Sequence, residues 1–526
     1  MAKTTMTEIG FPIGGMSVHS GYTHQDAGTC VSAMNVRGYD PTTNQLRGAQ
    51  RSGLSKYCVG QVASTTSPVQ CIDHVSISAS AGTGVRTLTG IAVSNGTVAQ
   101  FTRAGGYVTA TNGTSALNAS TPYIGSAIIF GNVYFSDGVG WNYWNSSTNT
   151  VTAMVADAGT LPVDGSGRAP RLICTWRGRL VWSGLIGDPQ NWFMSRQFDP
   201  LDYDYNPNVV TSANSQQAVA GNNCEAGLVP DIVTSMVPYS DDLMLIGGDS
   251  SLWQMTGDPA AGGQIDRISD VVGMAFGTPW CKDCYGTIYF FGSRGGLYSV
   301  NPSAGGTAVP VRISSMRVDE NLLNVNLANN VIRMVWDDRF QSVMLFITPT
   351  NGAATINWCY DIRNQAFWQD SFSNLNHNPS SVHLMDGDNP NDRVVLLGGQ
   401  DGIIRQLDYT AESDDGTAIN SYVLIGPLGS AGGKLRLREL RTVLGMNSDP
   451  VTLELYSGNS AEDAFLSAEP RFARTIYPGR SPAIRSGAVA QNMYLKLSNS
   501  VLNESWQFEA IWAWLEGTGR AAGRLV

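Results

Sequence analysis

This 526-residue chain has little charge. Asp, Glu, Lys and Arg make up 14% of it, against the ~25% usual in globular domains. Lysine is scarcest, at Lys3, Lys56, Lys282, Lys434 and Lys496. Glu and Lys commonly populate solvent-facing helix, so their scarcity argues against a helical protein. The net charge of −10 argues against a molecule that grips phosphates over its whole surface. No apolar run approaches the ~18 residues of a membrane span. The opening MAKTTMTEIGFPIGGMSV lacks the apolar core and small-residue cleavage site of a signal peptide, and none is expected. Histidine is confined to His19, His24, His74, His377 and His383, none of them beside a Ser or Cys nucleophile motif. GxSxG, P-loop and HExxH are missing as well. The expectation is a protein without catalytic constellation, cofactor or metal. Eight cysteines lie scattered without a dense pattern, which reads as reduced, mostly buried thiols made in a cytoplasm.

What fills the space is glycine, 58 residues of it, with much Ser, Thr and Asn. These residues accept the positive φ of tight turns, so the composition suits many short strands joined by hairpins. A recurring unit bears this out: a short alternating strand, a polar turn, about four apolar residues, a Gly/Ser/Asp turn and another strand. It stands clear in LICTWRGRLVWSG (172–184), SMVPYSDDLMLIGGDSSLWQM (235–255) and WCKDCYGTIYFFGSRGGLYSV (280–300). The same grammar recurs from Ala127 and Val382, and looser copies begin at His74 and Arg333. Four consecutive apolar residues suit a strand covered on both faces. A period near 50 residues is that of four-stranded propeller blades, whose ring closure hides faces that one unit cannot bury.

The predicted fold is therefore all-β: a six- or seven-bladed propeller over 61–410, with a pair of β-sandwiches as the rival. Residues 1–60 read as an irregular segment that docks on the propeller or on a neighbouring subunit. Residues 411–526 read as a C-terminal antiparallel, sandwich-like β-domain, since KLRLREL and YLKLS alternate strictly and imply strands with one wet face. VDENLLNVNLANNVIR (318–333) is the best candidate helix.

Several motifs have structural readings that outweigh functional ones. Cys281 and Cys284 form a lone CxxC without a second ligand pair. Ser136-Asp137-Gly138-Val139-Gly140-Trp141 is like the Asp-box turn of sialidase-like propellers, a hairpin device. Asp386–Asp392 offers calcium-loop oxygens, but Pro390 takes a ligand position and no Glu closes the loop. Lys434, Arg436, Arg438 and Arg441 alternate with leucine, so they share one strand face, either solvated or contacting a neighbouring subunit; in an acidic chain the subunit contact is preferred.

The opening GGMSVHSGYTHQDAGTCVSAMNVRGYDPTTNQLRGAQRSGLSKY (14–57) resembles that of tail nozzle proteins of short-tailed bacteriophages, also called tail tubular protein B or packaged-DNA stabilisation proteins. The likeness lies in Gly14-Gly15, Asn35-Val36-Arg37 and a stretched Leu46–Gly53 turn, and extends in style to GDPQNW and LLGGQDGIIRQLD. It implies a structural, non-enzymatic virion protein assembled in the host cytoplasm. Such a protein forms a homo-oligomeric ring, a hexamer, below the portal, contacting a tail adaptor (head-to-tail connector) and tail fibres or spikes. Genomic DNA passes through its lumen without sequence-specific binding. On that reading the hairpin tips at Gly247, Gly248 and Asp249 and at Gly292, Arg294 and Gly295 are candidate channel gates. The alternative is a glycan-binding or depolymerising propeller.

Overall fold

The computed structural model describes residues 4–64, 66–78, 86–206, 216–302, 308–429 and 433–520. The protein is all-β, a seven-bladed propeller joined to a C-terminal antiparallel β-sandwich. Six blades are successive four-stranded meanders at residues 69–109, 125–153, 172–220, 233–269, 280–312 and 330–370. The seventh takes three strands from residues 381–408, and its fourth from Gly53–Lys56 near the other end of the chain. This pairing locks the ring, because the outer edge of the last blade is filled by a strand that precedes the first.

The turns explain the composition. Asn95–Gly96 and Arg177–Gly178 have positive φ at both central positions, the geometry that matches the twist of a two-residue hairpin. The apolar quartets fall on the second strand of their blades. Arg179–Ser183 and Ile288–Phe291 are buried at every position, because a second strand is packed on both faces by neighbouring blades.

The sandwich has two five-stranded sheets. One holds Thr4–Ile9, Phe508–Arg520 and Gly433–Leu444, with Gly479–Arg480 and Ile484–Ala490 along its edge. The other runs Ala33–Met34, Ser421–Gly429, Asn492–Asn499, Val451–Gly458, Phe472–Ile476. Leu437, Leu440 and Ile511 share one core with Leu453, Leu455, Leu495 and Leu497. Residues 4–56 are mostly loop, with short strands that join both sheets of the sandwich and the last blade. Phe11, 5.8 Å from the rings of both Trp368 and Phe508, continues that core from the sixth blade into the sandwich.

The helix expected over 318–333 is confined to Asp319–Leu323. Asn330–Asp337 is instead the inner strand of the sixth blade. Among the described residues, no helix is long and apolar enough to cross a membrane.

Candidate functional site

The innermost strand of each blade lines the central channel. A cavity of about 380 Å³ lies there, walled by inner strands of the first, second, fifth, sixth and seventh blades. Its polar groups come from residues too far apart in sequence to form a motif. Asp73 and His74 stand on the first blade, His383 on the seventh, and Arg333 on the sixth. His74 Nδ1 and His383 Nε2 are 2.6 Å apart, so one ring donates to the other. Asp73 Oδ1 accepts from the His74 backbone N–H at 2.8 Å and lies 3.9 Å from His383 Nε2. Burial pushes both imidazoles down to about 4, and for His74 the neighbouring His383 adds to the shift. Burial also raises the Asp73 carboxyl. Arg333 donates from Nε to the Ser380 carbonyl at 3.0 Å and from Nη1 to Thr278 Oγ1 at 3.0 Å, its guanidinium 4.6 Å from the Tyr123 ring centre.

The channel opens through a recess of about 920 Å³ with polar walls. Lys282, Trp336 and Leu384 line both spaces. The recess is built from turns that follow inner strands of the fifth, sixth and seventh blades and from the end of the seventh blade's third strand, with Arg86 and Arg103 from the first. Its wall holds two carboxyls driven in opposite directions. Asp337 is buried, which raises its pKa against the pull of its hydrogen bonds; Tyr409 Oη donates to it at 2.7 Å. Asp408 is lowered. Burial works against this, but the Thr410 backbone N–H at 3.0 Å and Oγ1 at 2.8 Å both donate to Oδ1 and prevail. Exposed Asp338, Asp386, Arg86, Arg339 and Arg393 add to the charged lining. Tyr285 stands exposed on the turn that carries Cys284 on the rim.

No family model matches the chain, and no curated protein matches it. Solved structures do. An extracellular domain assigned to a hybrid two-component system of Bacteroides thetaiotaomicron is 13% identical, with TM-score 0.41 over 76% of this chain and 45% of that one. An ancestral GH74 enzyme is 10% identical, with TM-score 0.40 over 76% and 52%. The exo-β-1,3-galactanase of Phanerochaete chrysosporium is 11% identical, with TM-score 0.25 over 68% and 99%. The chain thus spans about half the length of the sensor domain. These are likenesses of fold.

They correct the functional reading. Extracellular domains of sensor proteins, glycoside hydrolases and a gluconolactonase-like protein are among the similar structures, and no bacteriophage tail protein is matched. The tail-nozzle role, the virion location and the expectation of a non-enzyme give way on that finding.

The proposed gates are also displaced. Gly247, Gly248 and Asp249, like Gly292, Arg294 and Gly295, sit at turns between second and third strands, set back from the inner strands that line the channel. They are pinned: Gly248 N–H donates to the Ser251 carbonyl at 2.8 Å, Asp249 N–H to Ile232 at 3.0 Å, and Gly292 N–H to Gly296 at 3.0 Å. A Cβ on Gly247 would lie 2.5 Å from Met274 Cβ. Lys434, Arg436 and Arg438 project from the wet face of the sandwich, and Arg441 is half-buried there. Arg438 Nε donates to Glu516 Oε2 at 2.5 Å, and Arg441 Nε to Glu439 Oε1 at 2.7 Å. Two of the four cations are thus paired within the chain.

Cys281 is buried and Cys284 exposed; between them, Asp283 Oδ1 accepts from Tyr285 and Thr287 N–H groups, an ordinary turn. Asp137 Oδ1 accepts from Val139 and Gly140 N–H groups in the same manner. Sequence reasoning missed Asp73, His74, His383, Asp337 and Asp408. The available signal was positional: both histidines fall on the first strand of a repeat, in the first and last copies, which ring closure makes neighbours.

Proposed function

We propose that the protein is a glycan-directed propeller that binds a saccharide chain in the recess at the channel mouth and cleaves it there. The observation that carries this reading is the pair Asp337 and Asp408, two carboxyls on one polar wall with protonation pushed apart. Divergent carboxyls are what hydrolysis of a glycosidic bond requires: one holds a proton for the leaving oxygen, the other stays ionised as base or nucleophile. Asp337 is the acid in this assignment and Asp408 the carboxylate. Carboxylates and guanidinium groups on the same wall suit vicinal hydroxyls, which both donate and accept. Tyr285 offers an aromatic face to a sugar ring. A phosphate-rich ligand fits less well, because Asp338 and Asp386 face the same space.

The test is a panel of neutral and acidic polysaccharides, assayed for binding by calorimetry and for cleavage by release of reducing ends. Wild-type protein is expected to act on at least one, with Asp337→Asn and Asp408→Asn each lowering turnover by at least ~10²-fold. Absence of binding and cleavage across the panel would sink the proposal. Unaltered turnover in both variants would move the chemistry elsewhere.

A further inference from the structure

Asp73, His74 and His383 each offer one ligand atom, and the three atoms all lie within 4.8 Å of one another; Asp73 and His383 also line the channel cavity. Two strands supply them. Asp73 and His74 are adjacent on the inner strand of the first blade, and His383 comes from the inner strand of the seventh, 309 residues later. The cavity in front of them, about 380 Å³, leaves room for an ion and its waters.

We propose that Asp73, His74 and His383 form a binding site for one divalent transition-metal ion of the zinc class, which clasps the first blade to the last. Two imidazole nitrogens and one carboxylate oxygen are a borderline donor set. Zinc and its first-row neighbours favour such a set, whereas calcium and magnesium favour all-oxygen shells. Three protein ligands leave at least one position for water. Nitrogens bound tetrahedrally to one zinc stand about 3.3 Å apart, so the ion replaces the present 2.6 Å ring contact and the rings part by less than an ångström. The carboxylate is already held in place. The His74 backbone N–H holds Asp73 Oδ1, fixing its orientation as carboxylate ligands require.

The location gives the ion its role. The ring is already sealed on its outer side, where Gly53–Lys56 pairs with Ile404–Asp408. An ion at His74 and His383 seals the inner side of the same seam. Metal that binds only the closed ring stabilises it by mass action. This inference is independent of the glycan reading, which uses other residues.

Chelator-treated full-length protein titrated with Zn²⁺ alone tests it. Calorimetry is expected to show one Zn²⁺ per chain, with at least tenfold weaker binding in His74→Ala, His383→Gln and Asp73→Asn. Cys284→Ser, which removes the exposed thiol, is expected to bind as wild type does. Ca²⁺ and Mg²⁺ are expected not to compete. Zn²⁺ should raise the melting temperature of wild type and leave that of His383→Gln unmoved. X-ray absorption of the wild-type zinc complex needs no variant to fold; it should show a nitrogen and oxygen shell with imidazole scattering. No stoichiometric binding, a sulfur shell, or equal affinity in the histidine variants overturns the proposal.

Discussion

Arg51 grips Asp414 with both prongs of its guanidinium, Nη1 to Oδ1 at 2.8 Å and Nη2 to Oδ2 at 2.7 Å, in full burial. The pair ties the segment before the propeller to the segment after it. Arg51 Nε also donates to Asn35 Oδ1 at 2.9 Å, and Asp370 lies 3.8 Å away. Asp370 in turn takes a two-pronged bond from Arg37, at 2.8 and 2.6 Å. The network joins the N-terminal segment, the sixth blade and the entry to the sandwich.

Breaking it from one side leaves a buried charge without its partner. Arg51→Met and Asp414→Asn are each expected to destabilise the fold by about 3–5 kcal/mol. Combining Arg51→Met with Asp414→Asn is expected to cost less than the two single changes added together. Thermal melts of the four proteins decide it. A double variant as unstable as the summed singles would show the two residues to be independent.

The ring closure makes a second prediction. Gly53 begins the strand that completes the seventh blade, and a Cβ there would lie 2.1 Å from the Ser413 carbonyl oxygen. Backbone cannot yield as a side chain can, so Gly53→Val is expected to destabilise by about 1–3 kcal/mol. Limited proteolysis should then cut first in the seventh blade. Wild-type stability in this variant would mean that the closing strand adjusts freely.

These features explain which parts of the fold were legible. Runs such as LVWS and YFFG announce second strands because burial on both faces erases alternation. GLSK (53–56) carries no such signature, and its partners lie about 350 residues away, a pairing that local pattern cannot reveal. VDENLLNV has helical apolar spacing, yet from Asn330 onward eight residues pair as a strand with Ser342–Pro349, where blade packing overrides propensity. The site was hidden for a related reason. Asp337 and Asp408 look like turn residues, and His74 and His383 like isolated ones, until closure brings the first, sixth and seventh blades around one channel.

The turns at Gly248 and Gly292 are expected to be static. Amide exchange at Gly248, Asp249, Gly292 and Gly295, all donors in backbone hydrogen bonds, should be slow, on the order of minutes or longer. Exchange as fast as in an open loop would return mobility to these tips.

His377 supplies a pH dependence remote from the channel. It is 2% exposed, and burial, aided by Arg405 and opposed by Asp414, Asp415 and Asp401, lowers its pKa to about 4. The unfolded chain takes up that proton near ~6.5. Stability from the neutral ring is therefore complete above about pH 6.5 and lost as the pH falls toward 4, a change on the order of 3 kcal/mol. Melting temperatures over this range should fall less steeply in His377→Gln than in wild type. Parallel curves would show that His377 does not contribute to the acid sensitivity.

The assignment of Asp337 as acid and Asp408 as carboxylate has a signature in the pH profile of cleavage. Activity requires Asp337 protonated, so it declines as the pH rises through the Asp337 pKa; it requires Asp408 ionised, so it declines as the pH falls through that of Asp408. Tyr409 Oη donates to Asp337 at 2.7 Å and favours its charged form. Tyr409→Phe removes that bond, raises the Asp337 pKa and should move the alkaline limb to higher pH, leaving the acid limb in place. Thr410→Ala removes one of the two Thr410 bonds that hold Asp408 ionised, the 2.8 Å hydroxyl bond, and keeps the backbone bond at 3.0 Å. It should raise the acid limb and spare the alkaline one. Each substitution thus moves one limb upward by a different residue's bond, a pattern that general loss of structure does not produce. Limbs that move together, or the two variants exchanging limbs, would reverse or remove the assignment.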